Sequence, residues 1–254
     1  MGKVGTNRET SAPYYKLNQS YFDSSNRTVE LIYHTSDFNF GDNAITSPRL
    51  GYATQIANES KLSLSRDLFL FGMLLIMGIY HLGIFIMRIK DRTPLYFGIF
   101  CLMFALRMLI VGERFLPSLY NIDFKIYARA SYITVYIGYA SLCGFLYFSF
   151  KELINKWMLR ISVGTSGIFT ILTLFMSFPL IDKWMIVYVA IGFIILIYAL
   201  IKVLLGLVQG VPYTGEVIVG FVCLLIGFAN DYFYEINLTN TPSMIPFGLS
   251  IFVL

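Results

Sequence analysis

Few stretches of this chain carry side chains that could do chemistry, and the most suggestive is GTSG at residues 164–167. It matches the Gly-x-Ser-Gly pattern of intramembrane serine proteases, in which the serine needs a neighbouring base to become a nucleophile. The two histidines, His34 and His81, both precede the serine in the sequence, so neither lies on a later helix that could supply this base. We therefore interpret GTSG as a small-residue contact between helices.

Other catalytic sets are also missing from the sequence. An aspartyl protease needs two carboxylates that share a proton, and Asp231 has no such partner in an apolar segment. There is no His-Glu-x-x-His motif, no Cys-x-x-Cys pair and no glycine-rich phosphate loop. Cys101, Cys143 and Cys223 all lie in apolar runs, as small buried side chains do. We expect no enzymatic activity, no metal site and no cofactor.

The best candidate for a functional site is a pair of opposite charges. Arg107 lies in the middle of CLMFALRMLIVGERF (101–115), and an arginine inside a bilayer costs a few kcal/mol. Asp231, next to Asn230, lies at a similar depth in a later apolar run, and Glu113 is a reserve partner. We expect Arg107 to face the bundle and to be neutralised by Asp231. Such a pair is either a structural clamp or a switch for which a ligand competes.

The composition requires these residues to be positioned by membrane helices. The chain is 57% hydrophobic and 13% charged, and its mean hydropathy is +0.68. Soluble domains carry roughly 25% charged residues, so this chain cannot cover a soluble globule. The net charge of +4 is spread along the chain, and no basic block indicates nucleic acid. The sequence predicts an all-α membrane protein that spans the lipid bilayer several times.

Six apolar runs are long enough to cross a bilayer, which needs about 20 residues in a helix. They are Leu68–Met87, Leu95–Val111, Ile126–Phe150, Ile161–Phe178, Trp184–Leu204 and Val217–Tyr234. A seventh begins near Met244 and is cut at Leu254, which predicts a seven-helix bundle with a truncated last helix. We expect the reading frame to continue beyond Leu254.

The distribution of Lys and Arg between the loops predicts the orientation. The odd-numbered loops carry seven of these residues and the even-numbered loops carry four. This bias puts the odd loops in the cytoplasm, the N-terminus outside and the C-terminus inside.

Three tyrosines recur at helical spacing in the outer half of the third span. Tyr132, Tyr136 and Tyr139 are spaced i, i+4 and i+7, which places them on one face. They are predicted to border an outer cavity. The alternative is an aromatic belt that faces lipid headgroups.

Residues 1–66 differ from the rest because they are polar and contain no spanning run. TVELIYHTSDF (28–38) alternates as a β-strand does, and SPRLGYATQI (47–56) is read as a further extended piece. We interpret residues 1–66 as the remnant of an extracellular β-type, jelly-roll-like sensor domain and residues 67–254 as the membrane domain.

Two long stretches resemble a known family. They are LFLFGMLLIMGIYHLGIFIMRIKDRTPLYFGIFCLMFALRMLIVGERF (68–115) and IGFANDYFYEINLTNTPSMIPFGLSIFVL (226–254), and LGYATQI (50–56) resembles the exit from an outer jelly-roll domain. In their order and spacing they resemble the bacterial seven-transmembrane receptors with diverse intracellular signalling modules.

This resemblance implies a transmembrane signal-transduction receptor of the bacterial inner membrane. Such a receptor senses an extracellular small molecule or carbohydrate and relays the signal to a cytoplasmic output module, which this chain lacks. A homodimer is a further possibility. The alternatives are a small-solute transporter, which needs a polar cavity at mid-membrane depth, and an intramembrane enzyme.

Overall fold

The computed structural model describes residues 52–111, 124–235, 244 and 247–248. Within these ranges the regular structure is entirely α-helical. Six long helices follow one another: α1 (Ala53–Met87), α2 (Thr93–Val111), α3 (Phe124–Ser149), α4 (Lys156–Phe175), α5 (Phe178–Val208) and α6 (Thr214–Glu235).

The first five helices are long and apolar enough to cross a membrane, and α6 contains the apolar stretch Thr214–Gly227. Each predicted run corresponds to one helix, so the prediction of an all-α membrane protein is confirmed. Residues 247–248 are again helical, and the Gly248 N–H donates to the Met244 carbonyl at 3.0 Å. Of the described residues in the predicted seventh run, 247 and 248 are therefore helical.

The start of α1 corrects one prediction. Residues 53–56 were predicted to be extended, but they form the first turn of α1, which runs unbroken across the predicted domain boundary at 66/67. Ala, Gln, Glu and Lys favour helix, and no Gly or Pro separates residues 53–67 from the apolar run that begins at Leu68. The helix therefore extends upstream of that run. The strand predicted at 28–38 and most of the proposed outer domain lie outside the described residues.

α1 and α2 cross closely where two glycines face each other. A Cβ on Gly78 would meet the Leu102 side chain at 2.8 Å and the Gly98 carbonyl oxygen at 3.2 Å. A Cβ on Gly98 would in turn lie 3.1 Å from the Gly78 carbonyl oxygen. Small residues allow membrane helices to approach to backbone contact, and this pair fixes the α1–α2 crossing.

Packing is uneven across the bundle. α1, α2 and α3 pack along much of their lengths, and α4 packs on α3, whereas α5 makes far fewer close backbone contacts with α3, α4 and α6. The apolar core is centred on α2 and α3, with Phe100, Cys101, Cys143 and Leu146 almost completely buried. α5 reaches this core through side chains such as Ala199.

One end of the bundle carries a group of exposed basic residues. We call the end with loops 88–92, 150–155 and 209–213 the basic end, and the end with the 176–177 turn the opposite end. Arg88, Lys90 and Arg92 are exposed at the basic end. Cations there also lie over aromatic rings: Lys151 over Phe148 at 5.0 Å, Arg160 over Trp157 at 5.0 Å and Lys202 over Tyr198 at 5.9 Å.

Candidate functional site

Arg107 lies on α2, one turn before the last helical residue Val111, and is partly buried. Its guanidinium donates to the Ser131 carbonyl oxygen of α3 at 2.9 Å. That carbonyl also accepts from the Thr134 hydroxyl at 2.8 Å. The arginine thus ties α2 to α3 through a backbone dipole. A carbonyl satisfies hydrogen bonds but does not cancel a full positive charge, and a buried charge also needs a counter-charge.

The predicted partners of Arg107 are only partly described. Asp231 lies in α6, but its side chain is outside the described residues, and so is the whole of Glu113. Asn230 is half-buried and makes an interaction of its own. The pairing of Arg107 with Asp231 therefore stays a prediction.

The three tyrosines of α3 lie at the meeting point of α3, α4 and α5. Tyr136 is 0% exposed, so its ring does not face lipid. Tyr132 packs in a small cluster with Ala128, Phe178 and Ile181. The Tyr139 hydroxyl donates to the Gly192 carbonyl oxygen of α5 at 3.4 Å.

A fourth tyrosine, which sequence reasoning missed, completes this group. Tyr188 of α5 is 3% exposed, and its ring centroid lies 4.6 Å from that of Tyr136 and 5.7 Å from that of Tyr139. Both pairs are edge-to-face, the arrangement that aromatic quadrupoles favour. Tyrosine rings therefore fill the wider space between α5 and its neighbours.

Hydroxyl groups connect the same three helices. The Ser166 and Tyr188 hydroxyls lie 3.0 Å apart, and the Thr173 hydroxyl donates to the Tyr136 hydroxyl at 3.3 Å. The Tyr136 hydroxyl donates in turn to the Met185 sulfur at 3.8 Å. The Cys143 thiol lies near the Tyr139 and Ser162 hydroxyls. We call the six hydroxyl-bearing residues the hydroxyl cluster: Tyr136, Tyr139, Ser162, Ser166, Thr173 and Tyr188.

A sequence signal for the α4 members existed. Ser162, Ser166 and Thr173 are spaced i, i+4 and i+11, which puts them on one helical face, and all three are at most 4% exposed. Tyr188 carries no such signal, because a tyrosine with only apolar neighbours in the sequence fits a lipid-facing position equally well.

The GTSG segment does not make the contact predicted for it. Gly164 and Gly167 are exposed, and a Cβ on either would meet nothing within 4 Å, so the prediction of a close helix contact through them is wrong. Ser166 is the buried member of the segment, and its partner is the Tyr188 hydroxyl rather than an imidazole.

A crevice of about 10 Å³ lies beside the hydroxyl cluster, near the opposite end of the bundle. It is bordered by α3, α4 and α5. The lining residues are Tyr136, Phe169, Leu172, Thr173, Met176, Ile181 and Trp184. Of the predicted outer-cavity residues, Tyr136 therefore lines an actual crevice.

Comparison with known proteins identifies the family. The fold is that of an integral membrane protein. Residues 65–254, about three quarters of the chain, match the family described as 7TM diverse intracellular signalling. No curated protein and no solved structure matches the chain significantly. The chain belongs to the 7TM diverse intracellular signalling family, which confirms the resemblance seen in the sequence.

The Arg107–Asp231 pairing is testable by a double-mutant cycle on unfolding in detergent micelles. On the predicted pairing, Arg107→Met should destabilise the bundle by about 3 kcal/mol, because it leaves the Asp231 carboxylate without its counter-charge. Adding Asp231→Asn should then cost much less than it does alone. Arg92→Met, at an exposed arginine, is the control and should be nearly neutral. Additive losses from the two substitutions would show that the charges are not coupled.

Proposed function

We propose that this chain is the membrane part of a receptor that senses a ligand outside the cell and relays the signal to a cytoplasmic output module. The family match over residues 65–254 carries this proposal, because the family is defined by intracellular signalling. On this proposal the chain has no chemistry of its own. The ligand biases the arrangement of the helices, and the last helix passes the change to the output module.

The length of α1 supports an input from one side of the membrane. At 1.5 Å per residue, its 35 residues extend about 52 Å. The hydrocarbon core of a bilayer is about 30 Å thick. The polar first half of α1 therefore projects well beyond the core as a continuous helix. A continuous helix passes on a tilt or rotation that a flexible linker would absorb.

The uneven packing supports a two-state rearrangement. α1 to α4 are closely packed, whereas α5 joins them with few backbone contacts and through the tyrosines. A ligand shifts such an equilibrium only by the difference between its affinities for the two states. Hydrogen bonds between membrane helices are worth about 1 kcal/mol each. A ligand can outweigh contacts of this strength and so shift the position of α5.

The charge distribution supports the predicted orientation in a bacterial inner membrane. The basic end carries exposed Arg88, Lys90 and Arg92, and cytoplasmic loops are enriched in such residues. We therefore place the basic end in the cytoplasm and the N-terminus of α1 outside.

Cysteine labelling of intact cells tests this orientation. The substitution Ser177→Cys puts a thiol in the exposed turn at the opposite end, and Lys90→Cys puts one in an exposed loop of the basic end. A membrane-impermeant maleimide should label the Ser177→Cys protein in intact cells, and the Lys90→Cys protein only after permeabilisation. The reverse pattern would contradict the proposed orientation. The unsubstituted chain measures the background labelling of the native cysteines, of which Cys101 and Cys143 are buried and Cys223 is half-buried.

The receptor proposal is tested by the basal output of the full gene product in proteoliposomes. Tyr188→Phe removes the Ser166 contact, and a shift of about 1 kcal/mol between two states changes the basal output about fivefold. Thr165→Val is the matched control, because the Thr165 hydroxyl donates to the Ile161 and Ser162 carbonyl oxygens of its own helix. Equal output from the wild type and Tyr188→Phe would argue against coupling. A change in solute uptake instead of output would favour the transporter.

A further inference from the structure

We propose that the crevice beside the hydroxyl cluster binds a small, neutral, amphipathic molecule with an apolar, preferably aromatic, body and one hydrogen-bonding group. This inference rests on the proposed receptor function and names the class of ligand for it. The crevice lies near the opposite end of the bundle, the end that the proposed orientation exposes to the outside.

The walls of the crevice define the apolar part of the ligand. Five of its seven lining residues are apolar or aromatic, including Phe169, Met176 and Trp184, and none of the seven is charged. An ionised ligand would lose its hydration there without gaining a counter-charge, which is strongly unfavourable. A carbohydrate carries many hydroxyl groups, and the two lining hydroxyls could satisfy only a few of them.

The remaining two lining residues define the polar part of the ligand. Tyr136 and Thr173 are 0% and 2% exposed, and their hydroxyl oxygens lie 3.3 Å apart. Hydrogen bonds between hydroxyls are commonly 2.7–2.8 Å long, so this one is loose. A hydroxyl or carbonyl oxygen of a ligand can replace the Met185 sulfur as the acceptor for Tyr136 and the Tyr136 oxygen as the acceptor for Thr173 at the buried floor of the crevice.

The rim of the crevice can open to admit such a molecule. At about 10 Å³ the space now has room for about one water. Trp184 and Leu172 on the rim are 49% and 37% exposed. Their side chains are therefore not held on all sides by neighbouring residues. Met176 is unbranched and adapts its shape readily. On this proposal, rotation of these side chains enlarges the crevice.

A ligand in this crevice would contact all three helices of the hydroxyl cluster. Tyr136 belongs to α3, Thr173 to α4 and Trp184 to α5. Binding would therefore respond to the position of α5, which is the property that a two-state receptor needs.

Tryptophan fluorescence provides a direct measurement, because the chain contains only Trp157 and Trp184. Trp157→Phe leaves Trp184, on the rim, as the reporter. Trp184→Phe leaves Trp157, which lies at the basic end and is 62% exposed, as a matched control for partition into lipid. The probe is 4-bromobenzyl alcohol, whose bromine quenches nearby tryptophan, added to the full chain in nanodiscs.

The proposal predicts saturable quenching of Trp184 and a linear, unsaturated response of Trp157. Tyr136→Phe and Thr173→Val should each weaken the saturable component about fivefold, the effect of one lost hydrogen bond. 4-Bromotoluene, which lacks the hydroxyl, should bind the unaltered crevice about fivefold more weakly after correction for membrane partition. This comparison needs no substitution at the crevice, so it remains informative if a variant does not fold.

Two results would overturn the proposal. One is linear quenching of both tryptophans, which would show that the probe only partitions into the lipid. The other is saturable quenching with equal affinity for the alcohol and for 4-bromotoluene, which would show that the hydroxyls take no part. The fluorescence reads binding alone, whereas the basal output reads signalling. The two measurements therefore distinguish failure of the ligand-binding proposal from failure of the receptor proposal.

Discussion

Side chains rather than close backbone packing attach α5 to the rest of the bundle: apolar residues such as Ala199 in the core, and tyrosines nearer the opposite end. Inside a bilayer, a polar group that leaves its partner gains no hydrogen bond from lipid, so buried hydroxyls pair within the protein. Tyr188 therefore contacts Ser166 of α4, and Tyr139 contacts the Gly192 backbone of α5. These contacts position the crevice and set how far α5 lies from α3.

The other side of the bundle is built differently. Gly78 and Gly98 bring α1 and α2 to backbone contact, and Arg107 bonds α2 to the Ser131 carbonyl of α3. Such interfaces change little, because moving them would separate closely packed atoms. A firm unit of α1 to α4 and a more loosely attached α5 suit a protein that must change shape without unfolding.

Much of the fold could be predicted from the sequence, because each apolar run is long enough to span a bilayer and is bounded by polar residues. The start of α1 could not be predicted in this way. Residues 53–66 are polar, and the apolar periodicity that marks a membrane helix is absent from them. Their helical propensity, continued from the run that begins at Leu68, decides the structure instead.

The site was predictable only in part, because sequence spacing shows which residues share a helical face but not which helix lies opposite. Tyr136 was identified from its spacing and is fully buried. Tyr188 has only apolar neighbours in the sequence, so its contact with Ser166 emerges only when α4 and α5 are placed together. The glycines of GTSG show the converse, since their type suggested a close contact but their face points away from the other helices.

The most direct test of the attachment of α5 is a distance distribution between nitroxide labels at Ile186 of α5 and Ile76 of α1, two exposed positions. Tyr188→Ala should broaden this distribution, because α5 loses its aromatic and hydroxyl contacts. Phe193→Ala removes an aromatic ring of similar size from an exposed face of the same helix and should leave the distribution narrow. An equally narrow distribution in the Tyr188→Ala protein would contradict the account.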